Sequence, residues 1–390
     1  MKLPERYESV ARLGKGGGGE VWAVRDRVTG ASLALKMLAK GSGEAEDQAL
    51  VREAVALSAL SGLGLPRIEG FGTLPSGERY MVRELAVGRS LDEIFLDEEA
   101  SWLGPIADAA DQLTLIHRAG LFHGDIKPAN VVVGPSGRTT FVDLGLARPF
   151  KRGQALGLTP KYAAPELLDG EPIGVRAEVY ALGATLQEGL DERGHELDKA
   201  AFDALSRVAK RATLGEPEDR YPSVDELASA MRHAGGLGKR AFEGVLGWPI
   251  LGLDAAFVSL ESAVVSLAPG ESLLLVGAKG SGRSTFLRRL AFSLGLRRVP
   301  VAVVEPPTTG LSAVDGLRLA IGDDTPDESL VVCVDDLDAL PDDALRAIEG
   351  RLKRGARLVG TVAEGTTRDI AGRAPKRHDM PKLEPKAAAE

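Results

Sequence analysis

A chain of 390 residues with 44% hydrophobic content has room for about two packed domains of roughly 150 to 200 residues each. Its net charge of −8 and pI near 5.4 leave no basic footprint for nucleic acid. One cysteine, Cys333, excludes an internal disulfide, and its apolar, strand-like surroundings predict a buried thiol.

In chain order, no leader is expected, since Met1-Lys2-Leu3-Pro4-Glu5 runs straight into charged residues. The first predicted elements are two strand-like runs around Gly14, Gly16, Gly19 and Val21, spaced G-x-G-x-x-G-x-V. Missing side chains there would let backbone amides approach phosphates, with Val21 covering a base, although a glycine pattern alone is weak. The next strand, Leu33-Ala34-Leu35-Lys36, ends in an ammonium able to reach the same phosphates. An amphipathic helix is predicted over 48–60, carrying Glu53 as the carboxylate that would orient Lys36. Glu44 and Glu46 compete for that role, and Glu53 could be one more solvated helix residue. The core-facing spacing of Leu50, Ala54, Leu57 and Leu60 favours Glu53.

Farther on, His123-Gly124-Asp125-Ile126-Lys127-Pro128-Ala129-Asn130 offers a carboxylate and, five positions later, an amide that can hold a metal beside transferring phosphate. A hairpin-like run over 131–133 and 140–142 leads to Asp143-Leu144-Gly145, a second metal-binding carboxylate. Thr159-Pro160-Lys161-Tyr162-Ala163-Ala164-Pro165-Glu166 contains the A-P-E that closes an activation segment, and Glu218-Asp219-Arg220-Tyr221-Pro222 follows.

Taken in this order, these motifs resemble the eukaryotic-like serine/threonine protein kinases over residues 7–231. The resemblance implies an α+β, bilobal kinase fold over residues 1–232, ATP and Mg2+ as cofactors, and phosphorylation of serine or threonine on protein substrates. It makes Asp125 the residue that accepts the substrate hydroxyl proton and Lys127 the one that steadies the γ-phosphate. Asn130 and Asp143 would hold magnesium. Thr159 would bond to Asp125 and Lys127, Glu84 to Ala86 would form the hinge beside adenine, with Ala34 also at the nucleotide, and Arg220 would pair with Glu166. Four departures stand out: Gly124 for arginine, Leu144 for phenylalanine, Glu178 for the aspartate that anchors the catalytic loop from a buried helix, and an unusual Arg83 near the back of the adenine pocket. Gly124 removes the cation that a phosphorylated activation segment would need, and Thr159 and Tyr162 are the only hydroxyls between Asp143 and Glu166. Activity independent of activation-segment phosphorylation is therefore expected. The rival reading is a pseudokinase that binds nucleotide as an interaction scaffold.

Residues 233–252 are glycine-rich and read as a linker. The most apolar stretch, 255–276, is interrupted by Glu261, Glu271 and Pro269-Gly270, which argues against a spanning helix and for a cytoplasmic protein. Apolar runs at 273–276, 301–304, 331–334 and 358–362 alternate with helical stretches and predict an α/β parallel sheet over 253–365. The first run enters Gly277-Ala278-Lys279-Gly280-Ser281-Gly282-Arg283-Ser284-Thr285, the context of a phosphate-cradling loop, and the third ends in Asp335-Asp336. Together they resemble the P-loop NTPases of signalling regulators. That resemblance makes Gly277, Gly282, Arg283, Ser284 and Thr285 nucleotide contacts and Ser284 with Asp335 a magnesium site. Arg283 replaces the usual lysine, and its planar, bulkier head fits a cramped cradle less well, so weak binding or a decayed scaffold is weighed above hydrolysis. Residues 366–390 lack periodicity and are expected to be disordered.

Overall fold

The computed structural model of the chain describes residues 3–16, 19–60, 65–118, 120–144, 148–149, 159–238, 254–305, 308–322, 325–366 and 370–380. The chain divides into two compact units, one of Met1–Gly43, Glu69–Arg83 and Pro249–Glu390, the other of Glu44–Ile68 and Glu84–Trp248.

The first unit opens with β1 (Tyr7–Gly16), β2 (Gly19–Asp26) and β3 (Ser32–Met37). The chain leaves it for α1 (Glu44–Ala59), which belongs to the second unit, and returns with β4 (Ile68–Thr73) and β5 (Arg79–Glu84). The five strands form a sheet in the order β1-β2-β3-β5-β4. Side chains alternate along a strand, so Leu33, Leu35 and Met37 share one face, where they pack with Val24 and Val82. The same alternation sends Ala34 and Lys36 to the opposite face, together with Val21, the cross-strand partner of Lys36. At the β1–β2 turn Gly16 pairs with Gly19. Gly19 must be glycine: its φ is 133°, and a Cβ there would lie 2.1 Å from the Met37 carbonyl oxygen.

In the second unit α1 begins four residues before the predicted start at Gln48, with Glu44, Glu46 and Asp47 in its first turn. Acidic groups there complement the helix dipole, a stabilisation that apolar spacing does not register. Then come β6 (Arg89–Ser90), α2 (Leu91–Phe95), α3 (Leu103–Arg118) and β7 (Leu121–Phe122). β8 (Val131–Val133) and β9 (Thr139–Phe141) form the predicted hairpin, and β8 also pairs with β6. β10 (Arg148–Pro149) pairs with β7. After α4 (Pro165–Leu168), the helices α5 (Val175–Arg193), α6 (Lys199–Ala212) and α7 (Val224–Ala234) complete the unit. α6 and α7 are capped by Asp198 and Ser223, whose side chains accept from Ala201 N and Glu226 N.

The rest of the first unit runs α8 (Asp254–Val265), β11 (Ser272–Val276), α9 (Arg283–Leu296), β12 (Val301–Val304), α10 (Ala313–Ile321), β13 (Val331–Val334), α11 (Asp342–Lys353), β14 (Arg357–Val362) and β15 (Lys376–Asp379). Among the described residues these strands make one parallel sheet in the order β12-β13-β14-β11-β15. Both faces are covered, as a parallel sheet requires. Leu273, Leu275, Val331 and Cys333 pack under α8 and α9, while Leu274, Val276, Val332 and Val334 pack under α10 and α11. Burial pushes the Cys333 thiol up to about 12, so it stays protonated and inert.

One expectation is corrected here. The tail over 366–390 is not wholly disordered, because Lys376–Asp379 forms β15 along the edge of β11, and Met380 N donates to the Val276 carbonyl at 2.7 Å. Without this strand one side of β11 would present bare backbone groups. Lys376 Nζ also lies 2.7 Å from Glu271 Oε2. Of the predicted linker over 233–252, residues 233–234 end α7 and residues 239–252 lie outside the described residues, as do the last ten residues. Among those described, no helix is long and apolar enough to cross a membrane.

Candidate active site

β7 delivers the chain to His123, which is fully buried and packs against Phe141 with ring centroids 4.7 Å apart. Burial pushes its imidazole pKa below the ordinary 6.5. Its Nδ1 accepts from the Asp125 backbone N–H at 3.3 Å, which shapes the loop entering the site. Gly124 next to it has φ of 91°, a conformation in which a side chain would be strained. The residue that departs from the family arginine is thus suited to its backbone. Gly124 N–H donates to Glu178 Oε1 at 2.7 Å, and the other carboxylate oxygen of Glu178 lies 2.6 Å from His117 Nε2. One glutamate on α5 therefore ties the loop that carries Asp125 to the end of α3.

Asp125, Lys127, Asn130 and Thr159 meet in one hydrogen-bonded group. Lys127 Nζ donates to Asp125 Oδ2 at 2.6 Å and to Thr159 Oγ1 at 3.0 Å, and Thr159 Oγ1 donates to Asp125 Oδ1 at 3.1 Å. Asn130 Nδ2 donates to both the carbonyl and the Oδ2 of Asp125, at 2.8 and 3.0 Å. A 3₁₀ turn over Pro128–Asn130 sets the amide back toward the carboxylate. Asp125 is thereby fixed in position while its side chain stays 11% exposed, which leaves an approach for an acceptor. Asp143 follows β9 at φ of 62°, exposed and in a region rarely occupied by residues other than glycine. Its neighbour Gly145 lies outside the described residues, and Leu144 is buried.

The segment after Thr159 is held from below. Glu188 on α5 accepts from Tyr162 Oη at 2.6 Å and pairs with Lys161 at 2.7 Å. Glu166 and Arg220 form a two-pronged pair at 2.7 and 2.8 Å, and the fully buried guanidinium also donates to the carbonyls of Leu214, Gly215 and Arg176. Glu53 is buried on α1. Glu84 closes β5, with Oε2 accepting from Arg67 N–H at 3.0 Å, and Ala86 follows half-buried. In the first unit, Gly14 pairs with Val21 beside a bulge, Gly16 ends β1, and Val21, Ala34 and Lys36 share the sheet face described above.

In the parallel sheet, the loop after β11 leads through Gly277 and Gly282 into α9, which starts at Arg283. Ser281 Oγ and Arg283 Nη1 are buried there without a hydrogen-bond partner. Ser284 Oγ donates to Asp335 Oδ1 at 3.0 Å, whereas Thr285 is exposed. Thr361 on β14 donates to the same Asp335 oxygen at 2.7 Å and accepts from Asp336 N–H. Sequence reasoning missed Thr361, His117 and Glu188, since each acts on a residue more than 20 positions away and carries no local pattern.

Among the described residues no group of three or more His, Cys, Asp or Glu side chains could cage a metal. An amide and a carboxylate, as at Asn130 and Asp143, instead suit magnesium completed by phosphate oxygens and water.

The protein kinase domain family matches residues 7–215. The chain is 32% identical over 224 residues to a putative cyclin-dependent kinase F-2 of Oryza sativa subsp. japonica, covering 52% of this chain and 68% of that one. It is 28% identical over 244 residues to the serine/threonine-protein kinase PknA of Mycobacterium tuberculosis, covering 58% and 56%. It is 32% identical over 280 residues to the DNA damage-responsive serine/threonine-protein kinase RqkA of Deinococcus radiodurans, covering 61% and 40%. The chain thus spans 40% to 68% of the length of these relatives.

Proposed function

We propose that this chain, which belongs to the protein kinase family through residues 7–215, transfers the γ-phosphate of ATP to serine or threonine hydroxyls of protein substrates. The observation that carries the reading is the group in which Lys127, Thr159 and Asn130 converge on Asp125. In the proposed step the acceptor oxygen attacks the γ-phosphorus, its proton passes to Asp125, and ADP leaves. Lys127 offsets charge on the transferred group. Lys36, oriented by Glu53, takes the α- and β-phosphates, and the amides around Gly14, Gly16 and Gly19 line their approach. Val21, Ala34, Glu84 and Ala86 contact adenine. Asn130 and Asp143 would hold Mg2+, which supplies neutralising charge at the phosphates when bound. The hydrogen bonds that join Asp125, Lys127, Asn130 and Thr159, with Lys36, Glu53 and Asp143 all present in the sequence, support this reading over a pseudokinase scaffold.

The same reading keeps a kinase domain over 1–232, a linker over 233–252 and a P-loop NTPase-like domain from 253, extended through β15, in a cytoplasmic protein. Support for phosphate binding by the second domain comes from the buried, unsatisfied Ser281 Oγ and Arg283 Nη1 beside the start of α9. Leaving such atoms unsatisfied costs about 1–3 kcal/mol each, which an anion would relieve. The Ser284–Asp335 pair supports a magnesium position.

The test is phosphotransfer by the full chain with ATP and Mg2+ beside Asp125→Asn, with circular dichroism on both. Activity should vanish in the variant while the spectrum is unchanged. Equal turnover by the two proteins would remove Asp125 from the mechanism.

A further inference from the structure

The β1–β2 hairpin, which carries the glycine-rich turn, is gripped at its base by residues almost 300 positions later in the chain. Arg6, just before β1, binds Asp26 at the end of β2 with a 2.7 Å contact. The same guanidinium donates to the Val303 carbonyl at 3.1 Å and to Glu305 Oε2 at 2.9 Å. Thr308 N–H donates to the Val28 carbonyl at 2.9 Å, Thr308 Oγ1 to the Thr29 carbonyl at 2.7 Å, and Thr309 Oγ1 to the Arg27 carbonyl at 2.6 Å. These acceptors form the turn from β2 to β3. All these residues lie in the first compact unit.

A second contact lies at β4 and β5. Arg79, 4% exposed, donates to the Leu296 carbonyl at 2.6 Å and caps the end of α9. Phe71 packs edge-on against Phe292, and a Cβ at Gly295 would come within 2.3 Å of the Phe71 carbonyl oxygen. The antiparallel sheet and the parallel-sheet segment therefore meet along a surface with specific polar contacts, part-buried at Arg6 and Arg79 and exposed at Thr308 and Thr309.

The grip falls where it has mechanical leverage. The β1–β2 ladder runs from Tyr7 and Asp26 at its base to Gly16 and Gly19 at its tip, with register shifts between Ser9 and Ala11 and between Arg12 and Gly14. Bulges let a hairpin bend, and a bend needs a fixed base to be reproducible. Glu305, moreover, follows β12 at the carboxyl edge of the parallel sheet, the edge from which the 277–282 loop and Asp335 also emerge, and it faces Arg288 of α9 at 3.9 Å.

We propose that the C-terminal parallel-sheet segment is a built-in modulator of the kinase, which docks on the base of the β1–β2 hairpin through Val303, Glu305, Thr308 and Thr309 and thereby sets the affinity for ATP. The kinetic half of the proposal rests on the kinase reading above, and the docking half does not. Fixing the hairpin before ATP arrives removes an ordering cost from binding. Its signature is a change in KM for ATP, with kcat little altered, since none of the four residues belongs to the Asp125 group.

The experiment uses the full chain, Glu305→Ala and Thr309→Val, with amide hydrogen exchange over residues 19–30 and steady-state phosphotransfer at varied ATP. Exchange should quicken and KM for ATP rise by about fivefold or more, as a coupling free energy of ordinary size gives. The milder Thr309→Val guards against misfolding, because it removes a single hydroxyl, which donates to the Arg27 and Val28 carbonyls, and keeps the side-chain shape. Unchanged exchange in both folded variants would overturn the docking, and faster exchange with an unchanged KM would overturn the modulation. If the wild-type chain transferred no phosphate, the kinase reading would fall while exchange still decided the docking.

Discussion

Shortening Glu178 by one methylene, to the aspartate that the family carries, should damage this protein. Its carboxylate spans two partners at once, Gly124 N–H at 2.7 Å and His117 Nε2 at 2.6 Å, from a side chain 3% exposed. Removing one carbon–carbon bond withdraws the oxygens by about 1.5 Å. With the backbone of α5 unmoved, at least one contact stretches beyond the 3.5 Å limit of a hydrogen bond. A hydrogen bond to a charged acceptor contributes about 1.5–3 kcal/mol, so Glu178→Asp should lose roughly one such increment. Glu178→Ala loses both and should cost about 3–5 kcal/mol, a large part of the 5–15 kcal/mol by which a domain of this kind is stable. Gly124 is bonded directly to Asp125, so displacement of its amide moves the carboxylate proposed to take the acceptor proton, and an error near 1 Å can lower turnover about a hundredfold. Urea unfolding followed by circular dichroism reads the first effect and phosphotransfer reads the second. An aspartate variant with the wild-type midpoint and turnover would refute the claim that the longer side chain is needed to reach both partners.

Two further outcomes are expected. The lowered pKa of buried His123 fixes the sign of a pH effect: above pH 6.5 the imidazole is neutral folded and unfolded, and below it the unfolded chain takes a proton that the folded chain refuses. Stability should then fall on acidification below 6.5, by at most about 1.4 kcal/mol per pH unit, and His123→Phe should flatten that limb relative to wild type; a wild-type profile that rises on acidification contradicts the burial argument. Nucleotide titration of the full chain should show one stronger and one weaker site, and Arg283→Lys should tighten only the weaker, by about tenfold, the equivalent of one good hydrogen bond. No change there, or a loss, would indicate that the guanidinium suits its cradle.

The loop around Asp125 was legible in the sequence because its hydrogen-bonding members are close along the chain. Asp125, Lys127 and Asn130 lie within six positions, and a 3₁₀ turn suffices to bring the amide back to the carboxylate. Strand alternation likewise put Lys36 on the face opposite Leu35 and Met37, and the four apolar runs of the C-terminal region became β11 to β14. The start of α1 was missed because its first turn is stabilised by charge against the helix dipole rather than by apolar spacing. β15 was missed because Lys376-Arg377-His378-Asp379 has no apolar alternation; its pairing comes from the open edge of β11.

The sequence by itself determined which groups can do chemistry and which periodic apolar segments become helix or strand, since residue type and short-range period act over a few positions. Only the tertiary structure decided that one Glu178 holds both Gly124 and His117, that Thr361 shares Asp335 with Ser284, and that Arg6 reaches Val303 and Glu305. Those partners are separated by 26 to almost 300 residues, and no local pattern encodes them. They meet because packed sheets and helices leave buried carboxylates, guanidinium groups and backbone amides that must find hydrogen bonds wherever the fold brings a partner near.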